Sequence, residues 1–206
     1  MRIIAGRFKG HTIAAVPGRN TRPTTDRVRE AWGSSVQSLL GSGFTDVLML
    51  DAFAGSGALG LEACSRGAAG VVFADSSSQA INIIRQNIKT LGLESDRSLI
   101  PIRADVMSLS FITRLSDDAR VSPFGLIALD PPYDLARQRV GLLLSRLIRA
   151  ELLAPGALVS YECANTPQAG QNPPPDEEMR AAWPEELEMV SCKVYGGSAI
   201  EYYLYS

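Results

Sequence analysis

Apolar and polar positions are arranged in alternating blocks along most of the chain. Short continuous apolar runs are separated by longer segments in which apolar residues recur every three or four positions. Continuous runs are typical of strands buried on both faces, whereas the longer repeat is typical of helices that pack on one side. From residue 47 onward the pattern therefore predicts a mostly parallel α/β sheet with helices on both faces. The predicted strands are 47–53, 70–75, 99–104, 124–130 and 157–162, and the predicted helices are 58–66, 77–91, 107–115 and 135–149.

The N-terminal segment departs from this alternation. Residues 2–5 and 11–16 are predicted to form two short strands, joined by the glycine-bounded basic turn 6–10. A helix is expected next, beginning near Thr24 or Thr25 and ending by Gly41 or Gly43. We therefore divide the chain into an N-terminal hairpin and helix extension, residues 1–45, and one large α/β domain, residues 46–206.

The C-terminal segment departs from the alternation as well. Residues 188–194 and 200–205 are apolar runs split by a turn with two glycines, which predicts an antiparallel hairpin. A parallel Rossmann-like sheet that ends in such a hairpin resembles the fold of class I methyltransferases, and we expect that fold here. Between the two regions, residues 166–184 contain three consecutive prolines followed by acidic residues. We expect a surface loop there, because this composition does not suit the interior of a sheet.

The most informative segment covers residues 51–60, which read DAFAGSGALG. It places Gly55, Gly57 and Gly60 in the spacing G-x-G-x-x-G, between a predicted strand and a predicted helix. Glycines at these positions let the backbone approach a ligand closely, and Asp75 follows Gly55 by 20 residues, where a carboxylate that binds ribose hydroxyls is expected. The segment therefore predicts a site for an adenosine-containing cofactor. At this point S-adenosylmethionine and a nicotinamide dinucleotide both remain open.

A second segment, Asp130-Pro131-Pro132-Tyr133, favours methyl transfer. The exocyclic amine of guanine or adenine is a poor nucleophile, because its lone pair is conjugated with the ring. The Asp130 carboxylate and the Pro131 carbonyl can accept the two amine hydrogens, which localises the lone pair and stabilises the positive charge that develops on nitrogen. Pro132 fixes the local backbone, and Tyr133 offers a face on which the base can stack.

The position of this second segment agrees with that chemistry. Open α/β sheets bind ligands at the carboxyl ends of strands, where the strand order reverses. Gly55 and Asp130 both lie at the carboxyl ends of predicted strands that would flank such a reversal. S-adenosylmethionine is therefore the favoured cofactor, and a nicotinamide-dependent oxidoreductase is the less favoured alternative. The expected reaction is a direct displacement that needs neither a covalent nucleophile nor a metal ion.

Charge is distributed unevenly along the chain. The net charge is −2, yet residues 1–30 hold seven basic and two acidic side chains, and the remainder holds 13 basic and 20 acidic ones. A basic segment on an acidic protein suits a molecule that meets phosphates at one end. The candidate nucleic-acid contacts are Arg2, Arg7, Lys9, Arg22 and Arg29.

Several other classes of protein are not indicated. The first residues do not resemble a signal peptide and no apolar run approaches 18 residues, so we expect a cytoplasmic protein. Cys64, Cys163 and Cys192 are far apart and lie in apolar stretches, which is typical of reduced thiols in a core. With one histidine in the chain, no metal site is expected, and we expect the protein to act as a monomer.

The two cofactor and amine segments together resemble the amino-methyltransferases of nucleic acids. A wider set of residues is similar to the bacterial family of 16S rRNA guanine-N2 methyltransferases called RsmD. The matching segments are RIIAG at residues 2–6, RPTTDRVRE at 22–30, DAFAGSGALGLEA at 51–63, SRGA at 65–68 and the residues 130–133. The chain departs from the family at residues 32–35, which read WGSS where an apolar helix face with a Phe is usual, and in a longer proline-rich loop.

The resemblance implies an S-adenosylmethionine-dependent enzyme that acts on 16S rRNA in an assembling or complete small ribosomal subunit. It implies that Asp75 holds the ribose, Asp105 holds the adenine amine and residues 130–133 hold the target guanine. It also implies that the N-terminal hairpin faces RNA. An adenine-N6 methyltransferase remains an alternative. The full set of candidate cofactor residues is Asp51, Phe53, Gly55, Ser56, Gly57, Asp75, Ser76, Asp105 and Asp130, and the candidate catalytic residues are Asp130, Pro131, Pro132 and Tyr133.

Overall fold

Helices and strands alternate along the chain as the apolar pattern predicts. The structure is a computed structural model, and it describes residues 1–17, 26–132, 134–165 and 183–206. Within these ranges the helices are α1 (Asp26–Leu39), α2 (Ala58–Ser65), α3 (Ser78–Thr90), α4 (Leu109–Asp117) and α5 (Arg137–Arg149). The strands are β1 (Leu48–Ala52), β2 (Gly70–Asp75), β3 (Leu99–Arg103), β4 (Phe124–Leu129), β5 (Leu153–Ala164), β6 (Leu187–Tyr195) and β7 (Ser198–Tyr205).

The strands form a seven-stranded sheet in the order β3-β2-β1-β4-β5-β7-β6. Strand β2 pairs in parallel with β1 and β3, and β4 pairs in parallel with β5, whereas β7 runs antiparallel to both β5 and β6. The prediction of a mostly parallel α/β sheet that ends in an antiparallel hairpin is confirmed. Chain contacts divide the molecule into two compact units, Met1–Val106 and Met107–Ser206. The division that we predicted at residue 45 stays a prediction.

The first unit contains the glycine-rich segment. Its strands β1 and β2 pair in parallel from Leu48 opposite Gly70, and β3 pairs in parallel with β2 from Leu99 opposite Val71. Every residue of β1 and β2 is buried, which is the condition that a continuous apolar run predicts. Helices α2 and α3 pack against β2. The carboxyl ends of β1, β2 and β3 therefore lie along one edge of this parallel group.

Strands β5, β6 and β7 of the second unit are longer than predicted, and β5 departs most from its predicted bounds. Strand β5 begins at Leu153 and not at residue 157. Its pairing with β4 shifts from Leu153 opposite Phe124 to Leu158 opposite Leu126, and the exposed Pro155 lies between these pairs. Proline cannot donate to a sheet, so the extra residues are accommodated in a bulge, and the strand continues on both sides of it.

The N-terminal hairpin, residues 1–16, contains less strand than predicted. A single antiparallel bridge joins Arg2 and Thr12, and neighbouring hydrogen bonds run from the Ile3 amide to the His11 carbonyl and from the Ile13 amide to the Met1 carbonyl. The prediction of two strands at residues 2–5 and 11–16 is wrong, because the pairing is limited to this one bridge. The Ile4, Ala5 and Ala14 amides bond to side chains of α2 and α3, and further bonds such as that from the Gly10 amide to the Ile3 carbonyl belong to the turn, so the strand pairing does not extend beyond the bridge.

Other predictions lie partly outside the described residues. These are the threonine caps at residues 24 and 25, the Arg22 contact, the Tyr133 ring and most of the loop at 166–184. The three cysteines are free thiols as expected, but only Cys64 is buried, while Cys163 and Cys192 are half-buried. In the ranges that the structure describes, no helix has both the length and the apolar character needed to span a membrane. The same ranges contain no group of three side chains suited to hold a metal ion.

Candidate active site

The glycine loop, residues 53–57, begins where β1 ends and turns sharply into α2. The backbone φ angles of Phe53, Gly55 and Gly57 are 74°, 55° and 76°, in the left-handed region. Glycine adopts this region without strain, but Phe53 does so at a cost of roughly 1–3 kcal/mol. The amides of Phe53 and Ala54 donate to the Ala74 carbonyl of β2 at 3.0 and 2.9 Å, which offsets part of that cost. Strained backbone of this kind clusters at functional sites, and sequence reasoning did not identify it.

Gly60 fixes the approach of α2 to the sheet. A Cβ atom at this position would lie 2.3 Å from the Phe73 ring and 2.8 Å from the Val71 side chain. Both neighbours belong to β2, so a larger residue would push the helix away from the strand. The third glycine of the G-x-G-x-x-G spacing therefore serves the close packing of helix on strand.

Asp75 ties the glycine loop to the end of β2. Its Oδ2 accepts a hydrogen bond from the Gly55 amide at 2.9 Å, and its Oδ1 accepts one from the Ser77 amide at 2.8 Å. The Asp75 side chain is buried, so the negative charge lies directly beneath the loop. The structure thus brings together Gly55 and Asp75, which the 20-residue spacing had associated.

Asp51 supports the loop from within β1. Its buried carboxylate accepts a hydrogen bond from the Gly60 amide at 3.0 Å. Burial, together with the nearby negative charge of Asp75, raises the pKa of Asp51 from 3.8 to about 7, although the Gly60 hydrogen bond acts in the opposite direction. Asp51 is therefore a carboxyl group that can hold its proton near neutral pH.

Two more candidate residues follow the neighbouring strands of the first unit. Ser76 comes directly after β2 and is exposed, with its carbonyl accepting a hydrogen bond from Arg103 Nε at 3.3 Å. Asp105 follows β3 and is also exposed. Because β1, β2 and β3 are parallel, Ser76 and Asp105 lie at the same edge as the glycine loop.

The segment Asp130-Pro131-Pro132 lies in the second unit, directly after β4. Asp130 is half-buried, Pro131 is buried and Pro132 is exposed. The Pro132 carbonyl accepts a hydrogen bond from the Leu135 amide at 2.9 Å, which turns the chain toward α5. The segment is thus a rigid turn at the carboxyl end of a parallel strand.

Sequence reasoning missed a buried cluster at the start of α5. Arg137 forms an ion pair with Glu201 at 2.7 Å, and the Tyr203 hydroxyl donates to the same carboxylate at 2.7 Å. Trp183 stacks on Tyr203 with a centroid distance of 4.5 Å, and the Arg137 guanidinium lies 4.8 Å from the Trp183 ring. Burial and the neighbouring Glu201 raise the pKa of Tyr203. The one available signal was a single carboxylate in the apolar run of β7.

The basic residues of the N-terminal segment have unlike surroundings. Lys9 is exposed, and the Arg2 side chain is 65% exposed although it pairs with Asp26 at 2.8 Å. Arg7 is exposed, and its guanidinium lies over the Phe8 ring at 4.6 Å.

Arg29 differs from the other basic residues, because it is only 1% exposed and its guanidinium donates to the Arg2 carbonyl and to Asp26. Arg29 is therefore an internal connection between α1 and the hairpin, and the prediction that it contacts nucleic acid does not agree with this burial.

The hairpin is attached to α2 by the residues that carried the family resemblance. The buried Glu62 carboxylate accepts hydrogen bonds from the Ile4 and Ala5 amides at 2.8 and 3.0 Å. A Cβ at Gly6 would lie 1.9 Å from the Ser65 carbonyl oxygen, so only glycine permits this approach. The short motifs at residues 2–6 and 65–68 thus describe how the hairpin docks.

The unusual Trp-Gly-Ser-Ser sequence of α1 also has a packing role. A Cβ at Gly33 would lie 2.4 Å from the Arg66 guanidinium carbon. Arg66 in turn donates to Glu62 at 2.8 Å. The glycine in α1 therefore leaves room for the arginine that orients Glu62.

Comparison with known proteins identifies the family. Residues 1–204 match the family described as "Conserved hypothetical protein 95". The chain belongs to this family. Over 162 residues, the chain is 36% identical to "Putative rRNA methyltransferase YlbH" of Bacillus subtilis, covering 79% of this chain and 82% of that protein. It is 32% identical over 164 residues to "Ribosomal RNA small subunit methyltransferase D" of Haemophilus influenzae, covering 79% of this chain and 78% of that protein.

A solved structure of similar extent supports the same conclusion. "Putative methyltransferase yhhF from Escherichia coli" has a TM-score of 0.75 and 29% identity, with 100% of this chain and 98% of that chain covered. The resemblance to the RsmD family that the sequence motifs indicated is confirmed, as is the class I methyltransferase fold.

Proposed function

We propose that this protein transfers a methyl group from S-adenosylmethionine to the exocyclic N2 amine of a guanine in the 16S rRNA of the small ribosomal subunit. Family membership supports the class of reaction, since the matched relatives are named rRNA methyltransferases. In the structure, the observation that carries the proposal is the glycine loop fastened by Asp75 at the carboxyl ends of β1 and β2. The choice of guanine N2 is supported by the resemblance to RsmD and by the chemistry of residues 130–133.

The glycine loop fits an adenosine-containing cofactor. Three positive φ angles turn the main chain sharply there, and a buried carboxylate bonds to the Gly55 amide of the turn. We propose that Asp75 accepts the ribose hydroxyls and that Asp105 accepts the adenine amine. Asp51 would act as a support for the loop, because its carboxylate bonds to the backbone of α2. The residues proposed to hold the cofactor are Phe53, Gly55, Ser56, Gly57, Asp75, Ser76, Asp105 and Asp130.

S-adenosylmethionine supplies an activated methyl group, and the protein has to prepare the amine that receives it. In our proposal the Asp130 carboxylate and the Pro131 carbonyl accept the two amine hydrogens, so that the nitrogen lone pair is no longer delocalised into the base. The rigid turn at Pro131 and Pro132 fixes these acceptors, and Tyr133 stacks on the base. Holding the two reactants in line can lower the activation barrier by about 7–11 kcal/mol.

The RNA contact is proposed for the exposed part of the N-terminal hairpin. Arg2, Arg7 and Lys9 are the exposed basic side chains of this segment. A target base inside a duplex has to leave its stack to be methylated, which favours an unpaired or distorted stretch of RNA. We further propose a cytoplasmic protein that acts as a monomer on this RNA.

Two alternatives make different predictions. An adenine-N6 methyltransferase would use the same cofactor and the same acceptors at Asp130 and Pro131, but would modify a different base. A nicotinamide-dependent oxidoreductase would use the glycine loop and Asp75 for a dinucleotide. The family relatives favour methyl transfer over the oxidoreductase.

Cofactor titration and label transfer test the proposal together. In calorimetry, S-adenosylmethionine should bind and NADH should not. With cofactor labelled in the methyl group, label should enter the rRNA of small subunits and not that of large subunits. Tight binding of NADH, or label found only in large-subunit rRNA, would contradict the proposal.

A further inference from the structure

A single buried amide joins the N-terminal hairpin to the glycine loop. Asn87 lies on α3 and is 1% exposed. Its Oδ1 accepts a hydrogen bond from the Ala14 amide at 2.7 Å, and its Nδ2 donates to the Ala14 carbonyl at 3.0 Å. The same Nδ2 donates its second hydrogen to the Ser56 carbonyl at 2.9 Å. We call these three residues the Asn87 bridge.

The bridge meets the glycine loop at a residue that is held from several sides. The Ser56 hydroxyl donates to Met1 Sδ at 3.4 Å, which is a second link to the hairpin. One residue earlier in the loop, the Gly55 amide donates to Asp75. The position of the loop is therefore set jointly by the end of β2 and by the hairpin.

The geometry favours coupling over simple packing. The Asn87 amide bonds to segments that lie 73 and 31 residues away in the chain, so one side chain links the hairpin directly to the glycine loop. Both protein partners are main-chain groups, so a shift of either segment must break or bend a hydrogen bond of the same amide. Only a carboxamide can supply this pattern, because the site needs one acceptor and two donors in a plane.

We propose that Asn87 is a positioning residue that couples RNA binding at the hairpin to cofactor binding at the glycine loop. The inference rests on the proposed function of these two segments. A ligand that orders the loop also orders the hairpin through the bridge, so the second ligand has less ordering to supply. The coupling is then positive and reciprocal: RNA tightens cofactor binding by the same factor by which cofactor tightens RNA binding.

Hydrogen exchange in the unmodified protein tests the physical link. Adding S-adenosylhomocysteine, which cannot react, should slow exchange of the Ala14 amide as well as the amides of the glycine loop. Slower exchange in the loop with no change at Ala14 would overturn the proposal. This measurement needs no variant, so it remains decisive if substitutions at Asn87 impair folding.

Equilibrium binding in three variants tests the coupling itself. S-adenosylhomocysteine affinity is measured with and without purified small ribosomal subunits. In the unmodified protein the subunits should increase the affinity for S-adenosylhomocysteine at least fivefold, which is the lower end of typical allosteric coupling. Asn87→Asp keeps the acceptor for the Ala14 amide but replaces both donors, and Asn87→Leu removes all three bonds. In both variants the ratio of the two affinities should fall to about one.

The matched control is Asn82→Asp, because Asn82 is exposed on the same helix. It should keep the ratio of the unmodified protein. If Asn87 had only a structural role, its variants would melt earlier and bind both ligands less well, but the ratio would persist, and the proposal would be overturned. A protein that binds neither the cofactor product nor the subunits would contradict the proposed function. Binding of both with a ratio of one in the unmodified protein would overturn the coupling alone.

Discussion

The raised pKa of Asp51 predicts an unusual dependence of stability on pH. A carboxyl group whose pKa is higher in the folded state favours folding when it is protonated. Its contribution is fully present below the unfolded pKa of 3.8 and is lost as the pH rises to the folded value of about 7. Asp51→Asn mimics the protonated form, since its amide oxygen can still accept from the Gly60 amide. The variant should therefore become more stable than the unmodified protein as the pH rises.

The size of this effect follows from the difference between the two pKa values. A difference of about 3 pH units corresponds to roughly 4 kcal/mol at 1.36 kcal/mol per unit, which is an upper limit for the change between pH 4 and pH 8. With a urea slope of about 3 kcal/mol/M, the midpoint of Asp51→Asn should move upward relative to the unmodified protein by roughly 1 M over this range.

Urea unfolding without cofactor, measured in parallel at half-unit steps from pH 4.5 to pH 8.5, checks this. Asp118→Asn is the contrasting control, because its hydrogen bonds with Arg120 lower the pKa of Asp118 to about 2. The stabilisation from Asp118 is lost only as the pH falls below roughly 4, so that variant should differ from the unmodified protein by a constant amount across the tested range. A constant difference for Asp51→Asn, or one that shrinks as the pH rises, would refute the reasoning.

Three predictions concern binding and catalysis. Asp75→Asn should weaken S-adenosylmethionine binding at least tenfold in calorimetry, because it removes the charge that we expect to meet the ribose, where such hydrogen bonds contribute about 1.5–3 kcal/mol. Asp130→Ala should lower the single-turnover rate by roughly 10²–10³ even at saturating cofactor, where weaker cofactor binding no longer limits the rate. Charge reversal of Arg2, Arg7 and Lys9 to Glu should weaken RNA binding and reduce its salt dependence by about 0.7–0.9 in slope for each phosphate that the hairpin no longer binds.

Each of these has an outcome that would contradict it. Unchanged cofactor affinity in Asp75→Asn would contradict the proposal that Asp75 binds the ribose. A near-normal rate in Asp130→Ala would contradict the proposal that Asp130 binds the target amine. For the charge reversal, Lys89→Glu on the exposed side of α3 is the matched control. If the triple variant folds normally and keeps the salt slope of that control, the hairpin is not the RNA contact.

The periodic pattern of the chain predicted most of the fold because strands β1, β2 and β4 are buried on both faces and therefore appear as continuous apolar runs. Strand β2 has the predicted bounds, Gly70–Asp75, since a glycine and a carboxylate mark the two ends of one apolar run. The extent of β5 was not predictable, because the sequence does not show that a bulge absorbs Pro155. The local hydrophobic pattern thus predicts where helices and strands lie, but it does not predict bulges in the pairing between strands.

For the candidate site, spacing along the chain indicated Gly55 and Asp75, which the structure brings into contact. It could not indicate Asn87 or Glu62, because each is one polar residue on a helix and its partners are backbone groups of a distant segment. The burial of Arg29 could not be predicted for a related reason. The sequence shows a basic residue in a basic segment, but it does not show that the guanidinium bonds to the Arg2 carbonyl. Because every residue type has the same main-chain groups, the sequence does not reveal which of them a distant side chain will bond.

The identity of the modified nucleoside tests the central proposal most directly. Small subunits from a strain without this gene are incubated with the protein and S-adenosylmethionine, and the digested 16S rRNA is analysed by mass spectrometry, with Asp130→Ala in parallel. We predict one additional N2-methylguanosine with the unmodified protein and a strongly reduced yield with the variant. N6-methyladenosine in its place, or no new methylated nucleoside in 16S rRNA, would contradict the proposal.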